Sequence, residues 1–363
     1  MESRRRRHAR DQHADREVGD MNAAFRIRDI AAEQGTKRRG YLTVGETPMG
    51  PVQIPLVIVH GAKPGPTLCL TAGVHAAEYP AIDAVLRTVA ALDPADLCGT
   101  LVAVPVVNSP MFRARSAFLS PIDGLNLNRT FPGKANGTIS EVIAHVLLNE
   151  VVARADFHID CHGGDVPEIL WPYSGYAIQG NPAVDERGEA MARLYSPRIV
   201  ALYREGTPLT VTKGSFTSEA ARRGVASILA ESGSAGSLDP ADVQHHMHGI
   251  ANVMRFFKML PGEPILRGKR MLALDQFVVD TRRGGLLRLA IRIGDEIKKG
   301  QEIAEVGDVF GDVVEKIVSP ADGIARIIWT HKVVNTGDPI VKCWVAEPAP
   351  PSAATDRFVR EAT

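Results

Sequence analysis

Residues 70–92 read LTAGVHAAEYPAIDAVLRTVAAL. An apolar run ends at Gly73, and from Glu78 onward EYPAIDAVLRTVAAL has the periodicity of a helix. A buried strand feeding a helix is the repeating unit of an α/β fold. Here the junction carries a histidine and a glutamate three residues apart, His75 and Glu78.

The surrounding sequence repeats the unit. IPLVIVHGA (54–62), PTLCLTAG (66–73), GTLVAVPVVN (99–108), ADFHIDCHG (155–163) and VASILAES (225–232) are short apolar runs bounded by Gly or polar residues, so they read as strands. ISEVIAHVLLNEVV (139–152), NPAVDERGEAMARLYSPRIVALYR (181–204) and DPADVQHHMHGIANVMRFFKML (239–260) read as helices. The last has Asp239 as N-cap and Pro240 at its first position. Residues 163–182 read as irregular. Alternating strands and helices predict an α/β domain, a mixed sheet with helices on both faces. After PGEP (261–264) the texture changes to short β-rich runs separated by Gly-Asp turns, as in IGDEIKKGQ and VGDVFGDVV, which predicts a small C-terminal β-barrel or sandwich. The expected organisation is a disordered leader at 1–25, an α/β domain at 26–262, a β unit at 263–347 and a flexible tail at 348–363.

His75 and Glu78 are a weak motif alone, but imidazole and carboxylate suit zinc, and two His plus one Glu is a common catalytic set. In open α/β sheets such sites gather at the carboxyl ends of strands. FHIDCHGGD offers the third ligand: His162 stands at its strand end as His75 does. His158 is the competitor on the same face, with Asp160 as a supporting residue. GLNLNRTFPG supplies Asn128 and Arg129, an amide beside a guanidinium fork suited to a carboxylate. Arg113 and Arg115 follow NSPM, and either is available to polarise a carbonyl. Glu231 ends the strand SILAE, the place for a general base.

HxxE, NLNRTFPG, DCHGG and AESG occur in an order and spacing that resembles the succinylglutamate desuccinylase/aspartoacylase family, of zinc carboxypeptidase-like fold. The resemblance implies one Zn2+ per chain on His75, Glu78 and His162. It makes Glu231 the catalytic glutamate, Asn128 and Arg129 the grip on the substrate carboxylate, and Arg115 the arginine that assists the scissile carbonyl. The implied reaction is hydrolysis of an N-acyl amino acid, with N-acetyl-diaminobutyrate one substrate left open. Peptide hydrolysis and a non-catalytic binding role are the competing readings. One departure stands out: Asn126 replaces the Asp usual before Leu-Asn-Arg, with Asp123 nearby.

The β unit resembles a biotinyl/lipoyl-like barrel, but GDVFGDVV has no lysine where a carrier hairpin needs one, so a structural role is expected, shaping the site or an oligomer interface. His245, His246 and His248 lie on the last long helix and read as a partly exposed polar face. Among 363 residues, 45% are hydrophobic, 23% are charged and the net charge is zero. Nothing here calls for nucleic acid or an anionic membrane, and no apolar run reaches a membrane span. A small-molecule substrate is the expected partner, with homo-oligomerisation left open. Cys69, Cys161 and Cys343 sit in strand-like runs as buried free thiols, which fits the cytoplasm. The leader interleaves six arginines with five acids, has no apolar signal core, and is followed by Met21 as an alternative start.

Overall fold

The computed structural model describes residues 24–196, 198–267 and 270–360. The expected leader falls outside these residues except for its last two positions, and Met21 lies outside them as well.

One mixed sheet organises the chain. At its centre run four parallel strands in the order Ala226–Glu231, Phe157–His162, Lys63–Ala72 and Cys98–Val104. The antiparallel strands Gly50–His60 and Thr36–Thr47 close one side. Strand alternation sends Leu68, Leu70, Ile159 and Cys161 into one core, under the helices Tyr79–Ala91, Pro182–Tyr195 and Pro240–Phe256. Cys69 joins the core on the opposite face, with Ile143 and Ala144 of the helix Ile139–Val146 and Phe216 and Ala220 of the helix Phe216–Arg222. Both faces of the parallel strands are therefore covered, which is why these runs are apolar throughout and not alternating.

Three stretches differ from the sequence reading. Residues 181–204 were expected to be one helix. The helix ends at Tyr195, and Ile199–Arg204 is a strand parallel to Tyr173–Ile178. Ser196 precedes a Pro, which steers it out of the helical region, and Ile199 and Val200 beyond it are β-branched, which favours extended backbone. The irregular stretch 163–182 contains the strands Glu168–Leu170 and Tyr173–Ile178, the latter antiparallel to Ala226–Glu231. Its closely spaced Gly and Pro residues hid the pattern. The tail returns to the body: Val359–Arg360 pairs with Leu266–Arg267, Arg193 Nη1 donates to the Pro350 carbonyl at 3.0 Å, and Thr355 is buried.

The C-terminal β unit has its own core around Leu287, Ile303, Val306 and Val341, and a four-stranded antiparallel sheet. Its remaining strands continue the main sheet, because Met271–Asp280 runs parallel to Ile199–Arg204 and is followed by Pro339–Pro348 and Gly323–Trp329. Contact with the α/β half is close. A Cβ on Gly294, whose φ is +83°, would fall 1.0 Å from a ring carbon of Trp171. No helix among the described residues is long and apolar enough to cross a membrane.

The histidine cluster was expected to form a partly exposed polar face, and His245 is half-buried. His248 is exposed, but His246 is buried, within 2.6 Å of Tyr195 Oη and 3.0 Å of the Ser232 carbonyl. A carbonyl only accepts, so Nε2 carries the proton and Nδ1 accepts from the tyrosine. Helix packing against Tyr195 turned this residue inward. Burial pushes the His246 imidazole down to about 3. The unfolded chain therefore takes up this proton first, near pH 6.5. The stabilisation is complete above that pH and is lost as pH falls toward 3. Urea midpoints are expected to drop between pH 7 and pH 4.5, with a shallower dependence in His246→Asn.

Candidate active site

Three neighbouring strand ends build the site. Glu231 pairs in register with His162, and Ala72, three residues before His75, pairs with Cys161. Parallel register thus delivers His75, His162 and Glu231 to one edge. Gly163 leaves room for this approach, since a Cβ there would meet the Ser232 carbonyl at 2.6 Å. Glu78 enters from the helix Tyr79–Ala91, as its N-cap residue.

His75, Glu78 and His162 are buried, and one ligand atom from each lies within 4.8 Å of the others. His75 Nδ1 is 2.9 Å from Glu78 Oε1, and His162 Nδ1 is 2.9 Å from Glu78 Oε2. The second contact lacks hydrogen-bond alignment, leaving Oε2 buried without a partner. Two imidazoles and a carboxylate thus converge on a shared point. The remaining ring nitrogens are held from outside: His75 Nε2 lies 3.1 Å from Asn126 Oδ1 and His162 Nε2 lies 2.9 Å from Asp160 Oδ2. Metal-binding histidines are commonly oriented in this way. Burial alone would raise the Glu78 carboxyl, but His162 and His75 hold it down to about 2. Burial opposes charge on His162, yet Asp160 and Glu78 outweigh it and raise its pKa well above the ordinary value. This cluster is short of positive charge, and its N and O donors fit a divalent cation of the zinc type.

His158, the competitor, is occupied elsewhere. Its ring bonds Thr71 Oγ1 and Ser227 Oγ, both at 2.8 Å, and burial lowers it to about 4. Thr71 also donates to Asp160 at 2.5 Å, tying the second ligand's support to the neighbouring strand. Asn126, the departure from the family pattern, keeps a carbonyl oxygen on His75. Asp123 does not substitute for it, accepting instead from Ser140 N and Oγ at 2.8 Å.

A cavity of about 300 Å3 opens over this cluster. Asn128, Arg129 and Glu231 line it together with the His–Glu–His group. Asn128 Oδ1 accepts from Phe216 N at 2.9 Å, which turns the amide. Arg129 donates to the Asn128 carbonyl at 2.6 Å and pairs with no carboxylate among the described residues. Burial lowers its pKa. Among the described residues Glu231 has one hydrogen-bond partner, Tyr173 Oη at 3.5 Å, and its Oε2 has none. Burial holds this carboxyl well above the usual carboxylate range.

Arg115 is not brought to this group. It closes the helix Ser109–Ala114 in a left-handed conformation, is exposed, and does not line the cavity; Arg113 also lies outside it. Among the lining residues that sequence reasoning missed are Glu168, Tyr173, Arg326 and Lys342. The signal for one was present: Arg326 sits in GIARIIW, a charged residue inside an otherwise apolar strand.

A family model described as the succinylglutamate desuccinylase/aspartoacylase catalytic domain matches residues 64–257. The N-alpha-acetyl-L-2,4-diaminobutyric acid deacetylase of Halomonas elongata is 28% identical over 302 residues, covering 81% of this chain and 86% of that protein. The product-bound ectoine utilization protein EutE of Ruegeria pomeroyi matches with a TM-score of 0.77 at 26% identity, over 85% of this chain and 95% of that one. A succinylglutamate desuccinylase/aspartoacylase from Rhodobacter sphaeroides matches with a TM-score of 0.76 at 26% identity, over 86% and 96%. The matched span is over half of the chain and encloses the converging His–Glu–His group, Asn128, Arg129 and Glu231, so the chain belongs to the succinylglutamate desuccinylase/aspartoacylase family.

Proposed function

We propose that this chain is a zinc-dependent amide hydrolase that removes the acyl group from a small N-acyl amino acid, with an Nα-acetyl diamino acid as the first candidate. The observation that carries the reading is the shared cavity. The His75–Glu78–His162 group, an under-partnered Glu231 carboxyl and an Arg129 guanidinium with no acid partner among the described residues all face one space. Similarity to the Halomonas elongata deacetylase supports the choice of acyl group and amino acid.

His75, Glu78 and His162 would hold the zinc, which when bound would supply Lewis-acid chemistry toward the attacking water and the amide carbonyl. Arg129, with the free amide nitrogen of Asn128, takes the substrate's carboxylate in a forked grip. Fixing that end places the scissile amide between the metal group and Glu231, so attack proceeds as within one molecule. Glu231 accepts the proton of the attacking water and passes it to the departing amine nitrogen. Arg115 has no step here, since its side chain stands outside the cavity. The free, buried cysteines Cys69, Cys161 and Cys343 fit action in the cytoplasm.

The test is a substrate panel with the purified zinc-loaded chain: N-acetyl-2,4-diaminobutyrate, N-acetylaspartate, N-succinylglutamate and short peptides. Release of free amine from one or more N-acyl amino acids is the expected result. Cleavage of peptides alone would make the chain a carboxypeptidase, and silence across the panel would remove the hydrolase reading.

A further inference from the structure

Arg326 belongs to the strand Gly323–Trp329 of the C-terminal β unit, yet its guanidinium lies in the catalytic cavity. It is buried, with 9% of the residue exposed. Its carbon lies 3.8 Å from the Trp344 ring centroid and 4.7 Å from that of Tyr173. Nη1 donates to Gln276 Oε1 at 2.8 Å, and Nη2 donates to Tyr173 Oη at 2.5 Å. Tyr173 Oη in turn donates to Glu231 Oε1. No carboxylate among the described residues lies within ion-pair distance of Arg326. A guanidinium is costly to bury without such a partner, and the two aromatic faces and two acceptors only partly offset that cost. The donor chain it heads ends on Glu231.

We propose that Arg326 is a positioning residue for the hydrolytic step, holding the Tyr173 hydroxyl against Glu231 so that the carboxylate keeps its aim at the attacking water. This rests on the amide-hydrolase reading above. The Glu231 side chain needs such a device. Among the described residues its one hydrogen bond is 3.5 Å long, longer than the usual range of about 2.5–3.0 Å for a hydroxyl donor, and its other oxygen has no partner. A tyrosine hydroxyl that accepts from a cation is polarised into a stronger donor, so the charged end of the chain strengthens the weak link at the base. The consequence for the fold is that the β unit, expected to shape the site or an oligomer interface, would reach the hydrolytic machinery through one arginine.

The test uses the full-length zinc-loaded chain and the best substrate of the panel, with Arg326→Met, Tyr173→Phe, the double variant and Arg326→Lys. Arg326→Met is expected to lower kcat by about 10- to 100-fold, the usual range for loss of an outer orienting residue, with KM within about threefold and zinc content unchanged. Tyr173→Phe keeps the ring and loses the hydroxyl, so it is expected to give a similar loss. The double variant should be no worse than Arg326→Met, because both act through one path. Arg326→Lys, a cation without the two-pronged fork, should recover part of kcat. A KM rise above about tenfold with kcat retained would make Arg326 a direct substrate ligand and overturn the proposal. Multiplying losses in the double variant, or unchanged kcat in a folded Arg326→Met, would overturn it as well. If Arg326→Met does not fold, full kcat in Tyr173→Phe does so alone. An inactive wild type removes the hydrolase reading and the relay with it, whereas an active wild type with unaffected variants removes the relay only.

Discussion

Glu231→Gln is expected to lower kcat by about 100- to 10,000-fold, the range for loss of a positioned general base, while zinc still binds at one per chain. Glutamine is nearly isosteric and keeps an acceptor for Tyr173, but cannot take a proton from the attacking water. Glu231 is not one of the three converging ligands, so metal content should be insensitive to the change. Stability should move the other way from activity. Burial disfavours charge at this position, so a neutral amide is expected to leave the thermal midpoint unchanged or raise it. Steady-state rates, metal analysis and a melt on the same preparation check all three. A Glu231→Gln enzyme with near-normal kcat would remove Glu231 from the mechanism.

His162→Ala is expected to remove zinc and activity together. The imidazole supplies one of three ligand atoms and faces two buried carboxylates, Glu78 and Asp160, each at 2.9 Å. Its loss strips the metal group of a donor and leaves both acids without a basic neighbour on that side. Breaking such a buried pairing costs about 3–5 kcal/mol, so the melt should shift down by many degrees. Metal analysis after dialysis should find far less than one zinc per chain. His158→Gln is the control, because His158 is spent on Thr71 and Ser227 and its variant should retain zinc. Retention of zinc by His162→Ala and its loss from His158→Gln would reverse the ligand assignment.

Much of the parallel core was legible because its signals are local. Apolar runs of strand length, the Pro240 start of the last helix and the HxxE junction each depend on a few adjacent residues, and the structure places them where their periodicity predicts. The failures share a physical origin. Ile199–Arg204 was read as helix because its residues tolerate both states, and pairing with Tyr173–Ile178 and Met271–Asp280 decided between them. His246 faces inward because Tyr195 and the Ser232 carbonyl, 51 and 14 residues away in sequence, meet it there.

The sequence by itself determined the alternation of strands and helices, the change to β structure after residue 264, and the His75, Glu78, His162 and Glu231 candidates at strand ends. Which histidine of FHIDCH faces the carboxylate, that Asn126 holds His75, that Arg115 stands outside, and that Arg326 reaches Tyr173 across 153 residues were decided only by the tertiary structure. The reason is geometric: strand and helix periods repeat within a few residues, whereas these contacts depend on sheet register and on the packing of one unit against another, which no local pattern encodes.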